Sequence, residues 1–341
     1  MSSKAMNTFA DVRPGVPLVF PDDHGAHPRF RQEWWYFTGN LNTADGRQFG
    51  VQLTFFRFAH GVFDVYRDSS WSHRQSYMAH FAISDIQNEH LFAFEDYARG
   101  TLGLAGATPR PFAVWVNGWS ARSDSTDDGR FDVRLHGKVD NVSIDIRAVT
   151  ADAPLLQGDQ GYSVKSSDGE LASYYYSYPD LQADGEIRID DETFDVSGKV
   201  WMDHEWSTSV IDKEQTGWDW FALRLDNGTR LMMFRVRGAD NNNHFSYAYY
   251  IDADGQSRQF EGDAIQIQPT RLWTSRDTHA SYPLGWRIGI ADANLEVEVQ
   301  AAYDNQELLL DFRYWEGVVN VAGHVDNAAV HGQGYMELTG Y

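Results

Sequence analysis

Glu33-Trp34-Trp35-Tyr36-Phe37-Thr38-Gly39-Asn40, a turn at Ala44-Asp45-Gly46-Arg47, and then Phe49-Gly50-Val51-Gln52-Leu53-Thr54-Phe55-Phe56-Arg57-Phe58 read together as two aromatic strands joined by a hairpin. Aromatic and β-branched residues in period-2 segments, separated by Asp-Gly or Asn-Gly turns, are the sequence signature of antiparallel strands. Three large aromatics in a row, at 34–36, break the in/out alternation of a half-exposed strand. That strand is therefore expected to be buried on both faces, between a barrel interior and another layer. The same pattern recurs at 221–225 and 230–236 around Asp226-Asn227-Gly228, and at 247–251 before Asp252-Ala253-Asp254-Gly255. No long amphipathic helix stands out. Residues 155–161 and 270–282 are expected to form short helices or irregular crossings.

Two internal echoes suggest duplication. Trp35-Tyr36-Phe37 leads through a Gly turn to Phe56-Arg57, and Trp220-Phe221-Ala222 leads through a Gly turn to Phe234-Arg235. Gly198-Lys199-Val200-Trp201-Met202-Asp203 resembles Gly332-Gln333-Gly334-Tyr335-Met336-Glu337. The second opening follows the first closing, so the chain reads as all-β, with two tandem antiparallel β-barrels over residues 1–206 and 207–341.

The 341 residues comfortably make two domains, and the 42% that are hydrophobic suffice for sizeable cores. Twelve Trp, 17 Tyr and 20 Phe suit either barrel interiors or the lining of a pocket for an apolar small molecule. A formal charge of −21 repels phosphate backbones, so nucleic acid is not expected as a partner. With no cysteine, disulfides, thiolate catalysis and zinc–thiolate sites are excluded. The first twelve residues show neither a basic nor an apolar leader segment. A periplasmic or exported mature chain is favoured over a cytoplasmic one, and both are compatible with the composition.

Trp201-Met202-Asp203-His204-Glu205-Trp206-Ser207 is the run most suggestive of chemistry. An aromatic frame that excludes water raises the pKa of a carboxyl inside it. Such an acid can protonate an alkene, and neighbouring aromatic faces can then stabilise the carbocation. Asp203 and His204 are candidate catalytic residues on this ground, and Glu33 beside its aromatic run is a third. An alternative reading pairs Glu33 with Arg57 or Arg235 to close a barrel end. Asp203, His204 and Glu205 would likewise serve structurally as a polar network pinning the connection between halves. Tyr174 and Tyr176 share one strand face and Tyr175 with Ser177 the other. Trp34, Tyr36, Tyr174, Tyr176, Trp201, Trp206, Trp218, Trp220, Arg57 and Arg235 are the candidate ligand-binding residues. Trp218-Asp219-Trp220 and Tyr314-Trp315-Glu316 repeat the theme of an acid among aromatics. His24 and His27 supply only two ligands, fewer than a metal site needs, so no metal is expected. No phosphate loop or dinucleotide fingerprint is present.

The runs Asp23–His27, Glu33–Leu41, Tyr174–Ser177, 201–207, 314–317 and 334–341 resemble the AttH/carotenoid 1,2-hydratase family over essentially the whole chain. The resemblance implies two lipocalin-like (calycin) barrels, a largely apolar pocket and no organic cofactor. It implies a range of activities: water addition to a terminal isoprenoid double bond, hydration of a prenylated phenol, or Diels–Alder closure of a polyene by a cyclase. For the AttH branch it implies an association with an ABC exporter and with lipid metabolism. The hydratases' proposed proton donor corresponds to Asp203. Where that pattern has Tyr two residues earlier, Trp201 stands here. Where that pattern has a His and a Trp in the upstream strand, Tyr174 and Tyr176 stand here. These departures favour an AttH-like binder of a lipid or isoprenoid over a carotenoid hydratase, with a hydratase or cyclase as the alternative.

Overall fold

The computed structural model describes residues 9–61, 75–123, 129–208, 215–238 and 243–341. Its strands form two antiparallel sheets. The first contains β1 (Gln32–Asn42), β2 (Gln48–Ala59), β3 (Gln75–Asp85), β4 (His90–Arg99), β5 (Ala105–Pro109), β6 (Phe112–Val116), β7 (Trp119–Arg122), β8 (Phe131–Val139), β9 (Val142–Thr150), β10 (Leu155–Leu156), β11 (Tyr162–Val164), β12 (Ala172–Ile189) and β13 (Glu192–Ser207). The second contains β14 (Gln215–Leu225), β15 (Arg230–Gly238), β16 (Asn243–Ile251), β17 (Ser257–Glu261), β18 (Gln266–Thr274), β19 (Ser281–Ile290), β20 (Leu295–Ala301), β21 (Glu307–Leu308), β22 (Tyr314–Val325) and β23 (Ala328–Thr339).

The two sheets share one plan. In the first, the order β4-β3-β2-β1-β13-β12-β9-β8 places the closing strand β13 beside the opening strand β1. In the second, β17-β16-β15-β14-β23-β22-β20-β19 does the same with β23 and β14. Each sheet curls around its own core, and in the first β5 and β6 come back against β3 and β4. This is the tandem of two antiparallel β-barrels that the strand pattern and the internal echoes predict, and it agrees with the lipocalin-like fold that the resemblance implies.

Alternation decides which residue goes where. Trp35, Phe37, Phe55, Phe81, Leu135, Ile144, Ile146 and Met202 point inward and fill the first half. Phe221, Met233, Tyr250, Trp286, Val297, Trp315 and Met336 fill the second. A third apolar cluster lies between the halves, where the outer faces of β1, β12 and β13 meet those of β14, β15, β16, β22 and β23. Tyr36, Tyr175 and Trp201 come from one side, and Trp220, Phe234, Tyr247, Val318 and Tyr335 from the other. The double burial expected of β1 is thus observed. The sheets approach so closely at Gly50 that a Cβ there would collide with Val318 and the Tyr335 hydroxyl.

Of the two stretches expected as short helices or irregular crossings, 155–161 is an irregular crossing and 270–282 is corrected. Residues 155–161 carry the short strand β10 and a turn, and 270–282 continue β18 into β19. Neither is helical, because Leu155 and Leu156 hydrogen-bond onto β12, and residues 271–274 pair with β19.

Candidate active site between the two sheets

Strand β13 lends alternate residues to two different environments. Trp201, Asp203 and Glu205 face the second sheet, whereas Met202, His204 and Trp206 face the interior of the first. On neighbouring strands, Tyr36 and Ser177 stand directly opposite Asp203. The run that looked like one constellation in sequence is therefore split by the sheet into two.

Asp203 is 3% exposed. Its carboxyl accepts hydrogen bonds from the Tyr175 hydroxyl at 2.9 Å, the Trp201 indole at 2.8 Å and the Ser177 hydroxyl. No cation contacts it among the described residues. Burial raises its pKa to about 7, helped by the nearby charge of Glu205 and opposed by the three hydrogen bonds. Desolvation wins here because a charge removed from water without a counter-ion costs more than neutral donors return. Glu205 differs in having Lys165 at 3.0 Å.

The second sheet supplies the facing wall. Glu337, half-buried, accepts from the Trp218 indole at 2.9 Å. Burial and the charges of Asp203 and Glu205 raise its pKa to about 7. Next to it across the β22–β23 ladder is Glu316, 2% exposed. Tyr36 donates to Glu316 from the first sheet, and Gln52 donates to it at 2.7 Å. Burial and Glu337 push Glu316 well above the ordinary carboxylate range. The Trp220 indole reaches the Tyr175 hydroxyl at 3.4 Å, and Trp201 and Trp220 meet edge to face with centroids 6.5 Å apart. His80 joins through Tyr314 at 2.7 Å, and burial holds its pKa near 4. Half-buried Trp34, Phe56, Trp218 and Phe245 lie along this layer, with the partly exposed Phe58 and Phe312 beside them.

The other predicted residues lie elsewhere. Glu33 is buried inside the first half, where its carboxylate meets Arg57 at 2.6 Å, His27 at 2.6 Å and His204 at 2.9 Å. The nearby His27 and Arg57 charges and these hydrogen bonds overcome desolvation and hold Glu33 well below the usual carboxylate range. It is an ion-paired staple rather than a proton donor. His204, with its pKa lowered to about 4 by burial, bonds Glu33 and the Tyr176 hydroxyl. Tyr176 also meets His24 at 2.7 Å, Tyr174 bonds the Arg13 backbone, and Trp206 stacks on His27 at 3.8 Å. The residues flanking Asp203 are thus Tyr175 and Ser177, not Tyr174 and Tyr176. Arg235 points into the second half and pairs with Asp219, which Arg237 and Tyr341 also contact. His27, Glu33 and His204 bring ligand atoms within 4.8 Å of one another. The Arg57 guanidinium already occupies the other oxygen of Glu33, so this cluster is a charge-compensated hydrogen-bond network.

Of the predicted set, Asp203, Tyr36, Trp34, Trp201, Trp218 and Trp220 converge on the intersheet layer. Glu337, Glu316, Tyr175 and Ser177 complete it, and were not chosen from the sequence. The signal for Glu337 was available in the repeat that matches Trp201-Met202-Asp203 to Tyr335-Met336-Glu337.

Residues 11–341 match the model of the AttH-like family. The chain superposes on the crystal structure of an AttH protein from Nitrosomonas europaea with a TM-score of 0.87 and 36% identity, covering 98% of this chain and 99% of that one. Kievitone hydratase from Nectria haematococca shares the fold, with a TM-score of 0.72 at 16% identity over 98% and 96% of the two chains. Dehydratase asqC of Emericella nidulans is 20% identical over 97% of this chain and 91% of its own length. The chain belongs to the AttH-like family.

Proposed function

We propose that this AttH-like protein is a cofactor-independent acid–base catalyst that adds water to, or removes it from, a hydrophobic small molecule held between its two sheets. One observation carries the reading: Asp203 is a buried carboxyl with three neutral donors, no contacting cation among the described residues and a pKa near 7. It holds a transferable proton at neutral pH, as a general acid should. The names of two relatives, a hydratase and a dehydratase, support this class of reaction.

In the hydration direction, the Asp203 carboxyl gives its proton to one carbon of an alkene. The resulting carbocation lies among the faces of Trp201, Trp220 and Tyr36. Each face contributes up to about 2 kcal/mol in a dry site. Water then attacks the cation and loses a proton, forming the alcohol. The apolar lining and the aromatics at 34, 56, 218 and 245 suit an isoprenoid or prenylated phenol. Holding such a lipid for an ABC exporter is the second reading, favoured by the same aromatic lining. It predicts a co-purified apolar ligand in native mass spectrometry and no turnover.

The test is water addition to a panel of prenylated phenols and terminal isoprenoid alkenes in ¹⁸O-water. Asp203→Asn is expected to lower incorporation at least ~100-fold, the usual weight of a positioned acid. Unchanged incorporation in that variant would exclude Asp203 as the donor.

A further inference from the structure

The two halves are built on one plan, and they pack outer face to outer face. Asp203 sits near the end of β13, opposite Tyr36 of the opening strand β1 and Ser177 of β12. Glu337 sits near the end of β23, opposite Trp220 of the opening strand β14 and Glu316 of β22. Each carboxyl accepts from an indole of the intersheet layer, Trp201 for Asp203 and Trp218 for Glu337. Their sequence contexts, Trp201-Met202-Asp203 and Tyr335-Met336-Glu337, are the closing repeats of the two halves. Facing contacts lock the walls together: Tyr36 to Glu316, Trp220 to Tyr175, and Asn40 to the Gly334 carbonyl at 3.2 Å. Duplication followed by face-to-face packing has brought two equivalent acids to opposite walls of one layer, within range of each other's charge.

We propose that Glu337 is a second catalytic residue, the base that works with Asp203 across the layer. This rests on the acid–base reading of Asp203. In hydration, Asp203 starts protonated and Glu337 ionised. The Asp203 proton goes to carbon and the C=C π electrons form the new C–H bond. The oxygen of water forms the C–O bond, and its surplus proton goes to Glu337. Alkene plus water has become alcohol, and the site's proton has moved from Asp203 to Glu337. Loss of the Glu337 proton to water and uptake of one by Asp203 reset the site. Dehydration runs the same steps in reverse: Glu337 protonates the leaving hydroxyl and Asp203 takes the C–H proton. The substrate class is thus one in which the two carbons of the scissile or nascent C–C–O unit lie between walls, each reached from a different side.

The groups that face this pair are few. Glu205 with its Lys165 partner, Glu316, and the hydroxyls of Tyr36 and Tyr175 surround it, and Arg224 lies over the Trp201 ring at 5.6 Å. Two like charges in such a setting resist being present together, so the pair gives up its protons in two coupled steps.

Infrared difference spectra of the full chain between pH 5 and 9 read protonated carboxyls directly. The wild type is expected to lose carboxyl signal from Asp203, Glu337 and Glu316. Asp203→Asn and Glu337→Gln should each remove one component and move the step of the remaining partner to lower pH by about one unit, a tenfold change in proton affinity. In ¹⁸O-water with a prenylated phenol, Glu337→Gln should lower kcat about 100-fold or more with little change in KM, and should remove the acid limb of the pH profile. Glu337→Asp, which keeps the carboxyl, should restore that limb and guards against a folding defect. A Glu337→Gln protein with wild-type kcat, an intact acid limb and an unmoved Asp203 step overturns the pair while leaving the role of Asp203 standing. An Asp203→Asn protein with full turnover overturns the underlying reading instead.

Discussion

Glu33 and Asp203 belong to the same two-strand ladder, β1 with β13, and both are buried. Glu33 points into the first half and meets Arg57, His27 and His204. Asp203 points outward into the layer between halves, where among the described residues it bonds a phenol, an alcohol and an indole. The second half repeats the contrast. Asp219 faces inward to Arg235 and Arg237, whereas Glu337 and Glu316 face the layer with no contacting cation among the described residues. Equal burial thus produces opposite chemistry. An acid that brings its counter-ion indoors stays ionised and ties strands together. An acid buried among neutral donors keeps a proton available for transfer.

Breaking an inner pair should have the largest effect. Arg57→Met leaves the Glu33 charge buried without its guanidinium and should cost about 3–5 kcal/mol in urea unfolding, the usual range for such a loss. A cost under about 1 kcal/mol would erase the distinction between inner and outer acids. The outer acids should respond in the opposite direction. Because the folded-state pKa of Asp203 is raised to about 7, the native chain keeps a proton that the unfolded chain releases near pH 4. Its contribution to stability therefore falls as pH rises from about 4 to 7. Asp203→Asn should remove that fall and gain on the order of 1–3 kcal/mol at pH 8. His204 has the reverse sign. Its pKa is lowered to about 4, so stability is lost as pH falls from about 6.5 to 4. The two regions oppose each other in one pH window, and Asp203→Asn should make the remaining rise with pH steeper.

Smaller changes sharpen the picture. Gly50→Ala puts a methyl where Val318 and Tyr335 already press from the second sheet. It should cost about 1–3 kcal/mol by overpacking, and should blunt water addition by spreading the walls. Tyr175→Phe deletes one donor to the Asp203 carboxylate and should raise the Asp203 midpoint in the infrared titration. The size expected is that of one hydrogen bond, about 0.5–1.5 kcal/mol.

The strands, the hairpin turns, the duplication and the double burial of β1 were all legible in the sequence, because period-2 patterning and Gly turns are local signals. Asp203 and its Trp201 neighbour were also found from the residues alone. Grouping His204 and Glu33 with Asp203 failed for a geometric reason. Residues adjacent in a strand face opposite ways, and only the observed packing says which face has an arginine waiting. The choice of Tyr174 and Tyr176 over Tyr175 and Ser177 failed in the same way, by one residue of register. Glu316 stood out in the sequence as an acid among aromatics, and the closing repeat pointed to Glu337, but only the docking of one half on the other places them in the layer with Asp203.

Strand β13 is a partition with different tenants on its two sides. Met202, His204 and Trp206 help fill the interior of the first half, while Trp201, Asp203 and Glu205 belong to the layer between the sheets. On the proposed function, volume-conserving replacements at the second set bear on which guest is accepted, and replacements one position away bear on the filled interior of the first half.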